Sequence, residues 1–511
     1  MKKLRVLASV LALATTLSMV VGCGAKTPAA SASSAPSQSA SASKSEAAPE
    51  SKSEAVPASK SEVPAEPVNL IWIIRDKEMK DQAKVWEELN KMSAKDIGVT
   101  VTVKNYNDQS KTKTALATGE DWDITFTCSW YNNFADNAQL GYYADLTDKL
   151  GTVAPTLKSY IPELIWKGAQ IDGKIMAVPT YKDSAEINYW TFDKAWVDKT
   201  GYDITKIKTL QDLEPFMAAC KKIDPAVTPY KMDYKGNDTF ESDFDTLVGR
   251  SFGIVVKYGD ATGKVISMYD DPGYIEDLKT IRSYVEKGYI NADALANKQE
   301  PKDSIIWDQP GFPGAESIWA QSRGHEIVMN QKSGPNISTT TIRGSLNAIN
   351  ADSKNIDAAL RYLEYANTNK AYRNMLAYGI EGTNYKLNDQ GTVELLNKDY
   401  VPGAFTQASF FELIPQAPAK PDQWKQLKEL MAAAPENKLV GFTFNYIDEF
   451  EATKSACDTI INKYRGGLTT GSIADIDGSL TSMREELKKA GYYDMITAAQ
   501  KQVDAFLAAS K

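Results

Sequence analysis

The feature that most constrains the fold is the alternation of apolar strand segments with amphipathic helical segments between residues 68 and 127. The first segment reads Val-Asn-Leu-Ile-Trp-Ile-Ile, which is typical of a strand buried on both faces, as in a parallel sheet. The elements predicted here are strand Val68–Ile74, helix Lys80–Met92, strand Val99–Val103, helix Lys111–Thr118 and strand Trp122–Thr127. This order predicts a doubly wound α/β domain, in which ligands lie at the carboxyl ends of the strands.

Similar elements continue along the chain, whose 511 residues exceed the size of a typical single domain. Residue spacing predicts strands at Gly173–Pro179 and Ile187–Phe192 and helices at Lys194–Lys199, Leu210–Lys222, Gly273–Lys287 and Asn355–Tyr378. The tail from Asp448 to Ser510 reads as helices that break near Gly466–Gly467 and Gly491. The sequence therefore predicts an α/β chain of two lobes.

Charge and histidine content exclude several classes of function. Lys and Arg number 58 against 66 Asp and Glu, a formal net charge of -8 that offers no basic surplus for a nucleic acid. His325 is the single histidine, so zinc sites with two or more imidazoles cannot form. His325 itself, in Arg-Gly-His-Glu, is predicted to lie in a surface loop. We predict no catalytic residue, no metal site and no cofactor.

The first 22 residues have the composition of a secretory signal. Lys2, Lys3 and Arg5 precede an apolar run that ends in Val20-Val21-Gly22-Cys23. The last four residues resemble a bacterial lipobox, and that resemblance implies that Cys23 carries a lipid and becomes the mature N-terminus. Buried acyl methylenes then hold the protein at the extracytoplasmic face of the cell membrane.

Residues 23–67 are predicted to be a disordered tether. Beyond Cys23 this stretch has no aromatic residue, and Ser-Lys-Ser-Glu recurs at Ser43, Ser51 and Ser59. A flexible coil of this length spans roughly 35 to 40 Å. Such a tether suits a receptor or a surface adhesin equally well, and glycosylation of its serines stays open.

Cysteine usage after the tether does not indicate a disulfide framework. Cys128, Cys220 and Cys457 are widely separated, odd in number and without CxxC spacing. The sequence leaves open whether two of these three cysteines form a disulfide bond.

Four short motifs follow one another in a consistent order. Gly119–Phe126 fits the pattern GxxxDIxF, Gln139–Thr147 fits xGxxxxLT, Asp172–Pro179 reads Asp-Gly-Lys-Ile-Met-Ala-Val-Pro, and Ser345–Ile349 follows as a return segment. The set resembles extracellular solute-binding proteins of ABC importers, of the maltodextrin-binding type. Further stretches resemble a lipoprotein subgroup with a C-terminal helical domain of unknown function; they are Trp319-Ala320, Ser338–Ile349, Tyr378–Tyr385 and Asn445-Tyr446-Ile447.

The resemblance implies a two-lobed fold of the type II periplasmic-binding-protein kind, with hinge crossovers. It places lobe 1 at 68–180 plus 345–385, lobe 2 at 181–344 plus 386–440, and a helical segment that packs on lobe 2 at 441–511. The implied crossovers lie near Pro179–Lys182, Ile342–Leu346 and Glu381–Lys386.

Candidate ligand contacts combine aromatic rings, which stack on the apolar faces of sugars, with polar groups that bond hydroxyls. Trp130, Tyr131 and Asn132 follow a predicted strand directly, although Trp130 could instead cover the core. The resemblance adds Tyr181 at the first crossover and Trp319 in the second lobe.

Three charged residues complete the candidate set. Arg343 and Glu381 lie at the other implied crossovers, where they could bind ligand or stabilise a closed state. Asp76 ends the first strand and could accept hydroxyl hydrogen bonds or cap a helix.

These features predict the substrate-binding lipoprotein of an ABC transporter. It is expected to be a monomer that captures an extracellular sugar or oligosaccharide and delivers it to a membrane permease. Three alternatives remain: binding of a peptide or another polar solute, a surface glycoside hydrolase with paired carboxylates, and an adhesin. No GxSxG, HExxH or P-loop pattern lies in the context that its chemistry requires.

Overall fold

The computed structural model describes residues 66–237 and 242–509. All of these residues belong to one compact unit of the chain. The predicted signal peptide, the lipidation site Cys23 and the tether, apart from its last two residues, lie outside the described residues.

The elements alternate between strand and helix over the first two thirds of the chain and are helical at its end. The strands are β1 (Val68–Ile74), β2 (Val99–Asn105), β3 (Ile124–Thr127), β4 (Gln170–Ile171), β5 (Lys174–Ile175), β6 (Val178–Pro179), β7 (Ala185–Asp193), β8 (Phe244–Thr246), β9 (Ile254–Lys257), β10 (Ile266–Ser267), β11 (Ile306–Gly311), β12 (Ile327–Ile337), β13 (Leu346–Ile349), β14 (Tyr385–Leu387) and β15 (Val393–Leu395). The α-helices are α1 (Gln82–Ile97), α2 (Gln109–Ala117), α3 (Phe134–Gln139), α4 (Thr147–Val153), α5 (Pro155–Tyr160), α6 (Glu163–Gly168), α7 (Lys194–Thr200), α8 (Leu213–Ile223), α9 (Pro272–Glu286), α10 (Ala315–Arg323), α11 (Thr339–Ile342), α12 (Ile356–Thr368), α13 (Lys370–Tyr378), α14 (Gln423–Ala432), α15 (Ile447–Thr469), α16 (Ile476–Lys489) and α17 (Tyr492–Ala509).

The first lobe is built on a five-stranded sheet in the order β2-β1-β3-β13-β6. Strand β1 pairs in parallel with both β2 and β3, whereas β13 runs antiparallel to β3 and β6. Trp72 on β1 is fully buried and meets the rings of Trp86 and Tyr362 edge-on. Strand β1 reads as a nearly continuous apolar run because helices pack on both of its faces, whereas β2 alternates valine with threonine.

The second lobe contains two three-stranded antiparallel sheets, in the orders β11-β7-β12 and β10-β9-β8. Strand β7 is the longest central strand and lies between its two partners over most of its length. Trp190 and Phe192 on β7 are fully buried and point into the core of this lobe.

The C-terminal helices α15–α17 pack into that same core. Cys457, Met483 and Met495 are fully buried and belong to one hydrophobic cluster with Phe216 and Ile254 of the second lobe. The predicted fold class, an α/β fold with a helical C-terminal region, is confirmed.

The chain passes between the lobes three times among the described residues. The first two passages lie between β6 and β7 and between α11 and β13. The third lies near residues 437–446, where Leu439 joins the second core and its neighbour Val440 joins the first.

This third passage corrects the one implied near Glu381–Lys386. That stretch forms a turn into hairpin β14–β15 of the first lobe instead. Tyr400 and Ala408 also pack in the first core, although the sequence places residues 386–440 in the second lobe. The physical reason is Arg373, which is fully buried and donates to the carbonyls of Ala404, Ala408 and Ser409.

Two predicted helix boundaries differ from the structure. Helix α15 runs through Gly466 and Gly467, and the break comes at Gly471, whose φ is 66°. A Cβ on Gly467 would lie 2.7 Å from the side chain of Ile473, so close packing rather than a turn explains this glycine. The stretch predicted as one helix over Asn355–Tyr378 is two helices, separated at Asn369.

The three cysteines among the described residues form no disulfide bond. Cys128, Cys220 and Cys457 are buried and free. Within 66–237 and 242–509, no helix is both long and apolar enough to span a bilayer.

Candidate functional site

A cleft of about 530 Å³ lies where the two lobes meet. Its walls come from the loop after β3, the first two passages, the loop around β8, and residues 439–446. The polar and aromatic residues that line it include Trp130, Asn133, Asp136, Lys182, Asp183, Glu186, Asp245, Arg250, Thr340, Arg343, Phe405, Thr443 and Tyr446. A volume of this size fits the usual range for small-molecule sites.

Trp130 presents an open aromatic face to the cleft. Its side chain is 50% exposed, and its indole Nε1 donates to the carbonyl of Gly344 at 3.0 Å. Phe405 packs beside the ring at 6.2 Å, and the guanidinium of Arg75 lies 4.9 Å from the ring centre. The ring is therefore held in place while its polar atom is already bonded, which leaves an apolar face for a ligand.

Tyr131 and Asn132 hold the loop that carries Trp130. Tyr131 is buried, and its hydroxyl donates to the carbonyl of Tyr106 at 2.8 Å. Asn132 is fully buried with φ 49°, and its amide donates to the carbonyl of Phe126 at 3.0 Å. Neither residue lines the cleft, so sequence adjacency to Trp130 did not place them at its surface.

Arg343 lines the cleft, but its guanidinium bonds protein atoms. Nε donates to the carbonyl of Gly168, and Nη2 donates to the carbonyl of Gln170 and to the hydroxyl of Thr443, at 2.7 to 2.8 Å. Burial lowers the pKa of Arg343 to about 9. Arg343 therefore joins the second passage to the first lobe and to the third passage.

The other predicted aromatics lie outside the cleft lining. The ring of Tyr181 packs against Phe411, with centres 4.4 Å apart, and burial raises its pKa. Trp319 lies on α10 over Gly311, and its ring approaches Tyr189 at 6.5 Å.

The predicted carboxylates also lie outside the cleft lining. Glu381 is exposed in the turn before β14. Asp76 accepts a hydrogen bond from the backbone N–H of Gly403 at 3.1 Å, and burial raises its pKa. It caps no helix, because α1 begins after Asp81.

Two ion pairs in the cleft were missed from the sequence. Lys182 pairs with its neighbour Asp183 in the first passage, and Arg250 pairs with Glu186 on β7. Lys182 ends the predicted crossover Pro179–Lys182 and Asp183 follows it, a signal that could have found both residues. Arg250 had no such signal, because its approach to Glu186 depends on the tertiary fold.

Asp245 on β8 is the most deeply buried carboxylate of the cleft. It accepts a hydrogen bond of 2.7 Å from the amide of Asn437, which also donates to the carbonyl of Ile337. Burial raises the pKa of Asp245 to about 6, while the bonds from Asn437 and Ser338 and the charge of Arg343 act to lower it.

Asp136 and Tyr446 face each other across the cleft. The hydroxyl of Tyr446 donates to Asp136 Oδ1 at 2.8 Å. Burial raises the pKa of Asp136, and the bond from Tyr446 partly offsets it. Within the described ranges, no cluster of three or more His, Cys, Asp or Glu side chains could hold a metal ion.

Comparison with known proteins shows homology over most of the chain. A carbohydrate ABC transporter substrate-binding protein from Streptococcus pneumoniae serotype 4 is 26% identical over 460 residues, which are 85% of this chain and 91% of that protein. The chain is therefore similar over most of its length to an ABC-transporter substrate-binding protein. The resemblance predicted from the four motifs is thereby confirmed. A family model described as a domain of unknown function, DUF3502, matches residues 438–508 of the chain described here.

Solved structures show the same relationship at the level of the fold. The N-glycan transport solute-binding protein NgtS from Streptococcus pneumoniae has a TM-score of 0.79 at 25% identity, covering 87% of this chain and 100% of that one. NgtS in complex with Man1GlcNAc has a TM-score of 0.73 at 24% identity, and the match covers 86% of this chain and 99% of that one. NgtS in complex with Man5GlcNAc has a TM-score of 0.71 at 24% identity, covering 87% and 100%.

Proposed function

We propose that this protein is the substrate-binding component of an ABC importer and that it captures an oligosaccharide between its two lobes. The relative named above is a carbohydrate substrate-binding protein, and solved relatives hold N-glycan fragments. The ligand enters the cleft, the lobes close on it, and a membrane permease recognises the closed form.

The observation that carries this proposal is the half-exposed ring of Trp130. Its N–H is already bonded to Gly344, and Phe405 and Arg75 support it from the protein side. A sugar ring placed on the open face buries its C–H surface there. Its hydroxyls reach donors and acceptors on the surrounding walls, which avoids leaving polar groups buried without partners.

The protein is proposed to release its ligand unchanged. A glycoside hydrolase needs a protonated carboxyl group beside the scissile bond, and Asp245 is a cleft carboxylate whose pKa burial raises to about 6. However, Asn437 and Ser338 already bond its carboxylate, and the group is only 3% exposed. We therefore propose that Asp245 has a structural role where the two lobes meet.

Binding of a panel of neutral oligosaccharides, measured by calorimetry, tests the proposal. Trp130→Ala should weaken binding at least tenfold because the stacking face is lost, and Tyr234→Ala provides the matched control. Tyr234 is 40% exposed but lies outside the cleft lining, so its removal should leave affinity unchanged.

Chromatography after incubation then shows whether the bound sugar is intact. A cleaved sugar would establish a hydrolase, whereas binding of peptides but not sugars would establish the alternative solute class. Wild-type affinity in Trp130→Ala would remove that residue from the site.

We propose a monomer at the extracytoplasmic face of the membrane, anchored through lipid on Cys23. The lipobox-like residues before Cys23 support this anchor, and the tether of residues 23–67 gives the cleft access to solutes beyond the membrane surface.

A further inference from the structure

We propose that the cleft selects neutral oligosaccharides and rejects those that carry carboxylates, such as uronic acids. This inference rests on the proposed function and names the class of sugar within it. Its basis is the arrangement of charges in the cleft, where the described cations already have acidic or carbonyl partners.

The first ion pair lies in the first passage between the lobes. Lys182 and Asp183 are adjacent in the chain and in contact through their charged ends, and their side chains are 14% and 29% exposed. A ligand carboxylate that approached Lys182 would meet Asp183 at the same point. Its attraction to the cation would be offset by repulsion from the anion.

The second ion pair lies between β7 and the loop after β8. Arg250 contacts Glu186, whose side chain is the more buried partner at 18% exposed against 41% for Arg250. A ligand carboxylate that bound Arg250 would again lie beside a carboxylate of the protein.

The remaining charges make the cleft slightly acidic. Arg343 donates to two backbone carbonyls and to Thr443, and Asp245 lies close enough to influence its pKa. Asp136 accepts from a neutral group, the hydroxyl of Tyr446. The described lining residues therefore contribute three cations against Asp136, Asp183, Glu186 and Asp245.

Such paired charges suit neutral hydroxyl groups. A hydroxyl donates to a carboxylate and accepts from a cation, so one ion pair can bond a sugar from both sides. A ligand carboxylate only accepts, and moving it from water into this cleft costs free energy that the paired cations of the described lining do not offset.

Matched sugar pairs provide the test. The probes are β-1,4-mannotriose with β-1,4-trimannuronate and α-1,4-galactotriose with α-1,4-trigalacturonate. Each probe is added separately to the full-length protein, and its affinity is compared with those of the neutral panel above. The two sugars of each pair differ only at C6, which carries a hydroxyl group in the neutral sugar and is a carboxylate in the uronate. We expect neutral sugars to bind and both uronates to bind at least tenfold more weakly than the best neutral probe. A uronate that binds as tightly as the best neutral probe would overturn the inference.

Removing the acidic partners should reverse the selection. The double variant Asp183→Asn/Glu186→Gln keeps both cations and should bind uronates at least tenfold more tightly than the wild type. The control is Glu214→Gln/Asp303→Asn, which changes net charge equally by neutralising the partners of Lys287 and Lys231 outside the cleft lining.

The outcomes separate the two proposals. A gain in the cleft variant alone supports the selection mechanism, and equal gains in both variants would show that only overall charge matters, which contradicts it. If the wild type bound neither neutral nor acidic sugars, the proposed function would fail together with this inference. If it bound neutral sugars and uronates alike, only this inference would fail.

Discussion

Tyr446 donates a hydrogen bond of 2.8 Å to Asp136, and this bond joins the C-terminal segment to the first lobe across the mouth of the cleft. Tyr446 packs in the second core, while Asp136 lies on α3, whose Phe134 packs in the first lobe. The side chains of these two residues therefore connect the two lobes, which the backbone of the described residues connects through three passages.

Tyr446→Phe should lower the free energy of unfolding by about 1 to 3 kcal/mol, because it leaves a partly buried carboxylate without a donor. Urea unfolding followed by circular dichroism measures this change. Tyr464→Phe is the control, since Tyr464 bonds Glu486 at 2.7 Å on the exposed side of the same helical segment. Equal losses in both variants would contradict a special role for the bond to Asp136.

Asp245 should make the protein less stable as pH rises from about 4 to about 6. Its folded-state pKa of about 6 exceeds its ordinary value of 3.8, so in this window the folded state holds a proton that the unfolded state has lost. Stability then falls with pH by at most about 1.4 kcal/mol per unit. Asp245→Asn, measured by denaturant unfolding at several pH values, should remove this slope while keeping an acceptor for Asn437. A slope that persists in the variant would assign it to other groups.

Arg343→Lys should reduce stability more than it reduces sugar affinity. Lysine cannot reach Gly168, Gln170 and Thr443 together, and carbonyls left without donors cost about 1 to 3 kcal/mol each. Melting temperature and calorimetric affinity, measured on the same sample, check this. A variant with wild-type melting temperature and lost affinity would show that Arg343 binds the ligand directly.

Gly466→Ala and Gly467→Ala should change stability in opposite directions. Alanine favours a helix over glycine by about 1 kcal/mol. At position 466 its Cβ would lie 3.1 Å from the end of the exposed Leu295 side chain, which can move. At position 467 it would lie 2.7 Å from Ile473, where overpacking costs about 1 to 3 kcal/mol. Thermal unfolding of the two variants compares these effects, and stabilisation of both would contradict the close packing.

Cys23→Ala should release the protein from the membrane fraction. The change removes the thiol that accepts the lipid while leaving the signal otherwise intact. Fractionation of cells and medium measures the shift, with Cys128→Ala as the control. Retention of Cys23→Ala at the membrane would exclude lipid on Cys23 as the anchor.

Local sequence patterns predicted the first strands of the first lobe because β1 is a nearly continuous apolar run and β2 alternates valine with threonine. Val68–Ile74 and the strand that begins at Val99 start where their residues indicated. The third passage was missed because it depends on the distant contacts of Arg373, which no periodicity reveals. Gly466–Gly467 was read as a break because sequence alone cannot distinguish a glycine that permits close packing from one that ends a helix.

Of the predicted ligand contacts, Trp130 and Arg343 line the cleft and the others lie outside its lining. A position directly after a buried strand placed Trp130 at the cleft, where the structure has it. The same argument could not tell that Tyr131 and Asn132 turn inward, since φ 49° at Asn132 reverses the loop. Whether any of these residues binds ligand stays a prediction.

Leu439 packs in the second core and its neighbour Val440 packs in the first, so both cores include residues that are synthesised late. The first lobe lacks part of its interior until residue 440 has been made, and the second lobe needs Met495 and Val503 as well. Neither core is therefore complete while only the earlier two thirds of the chain exist. We expect the nascent chain to remain unfolded enough for export until these residues have been made, with the first lobe maturing before the second.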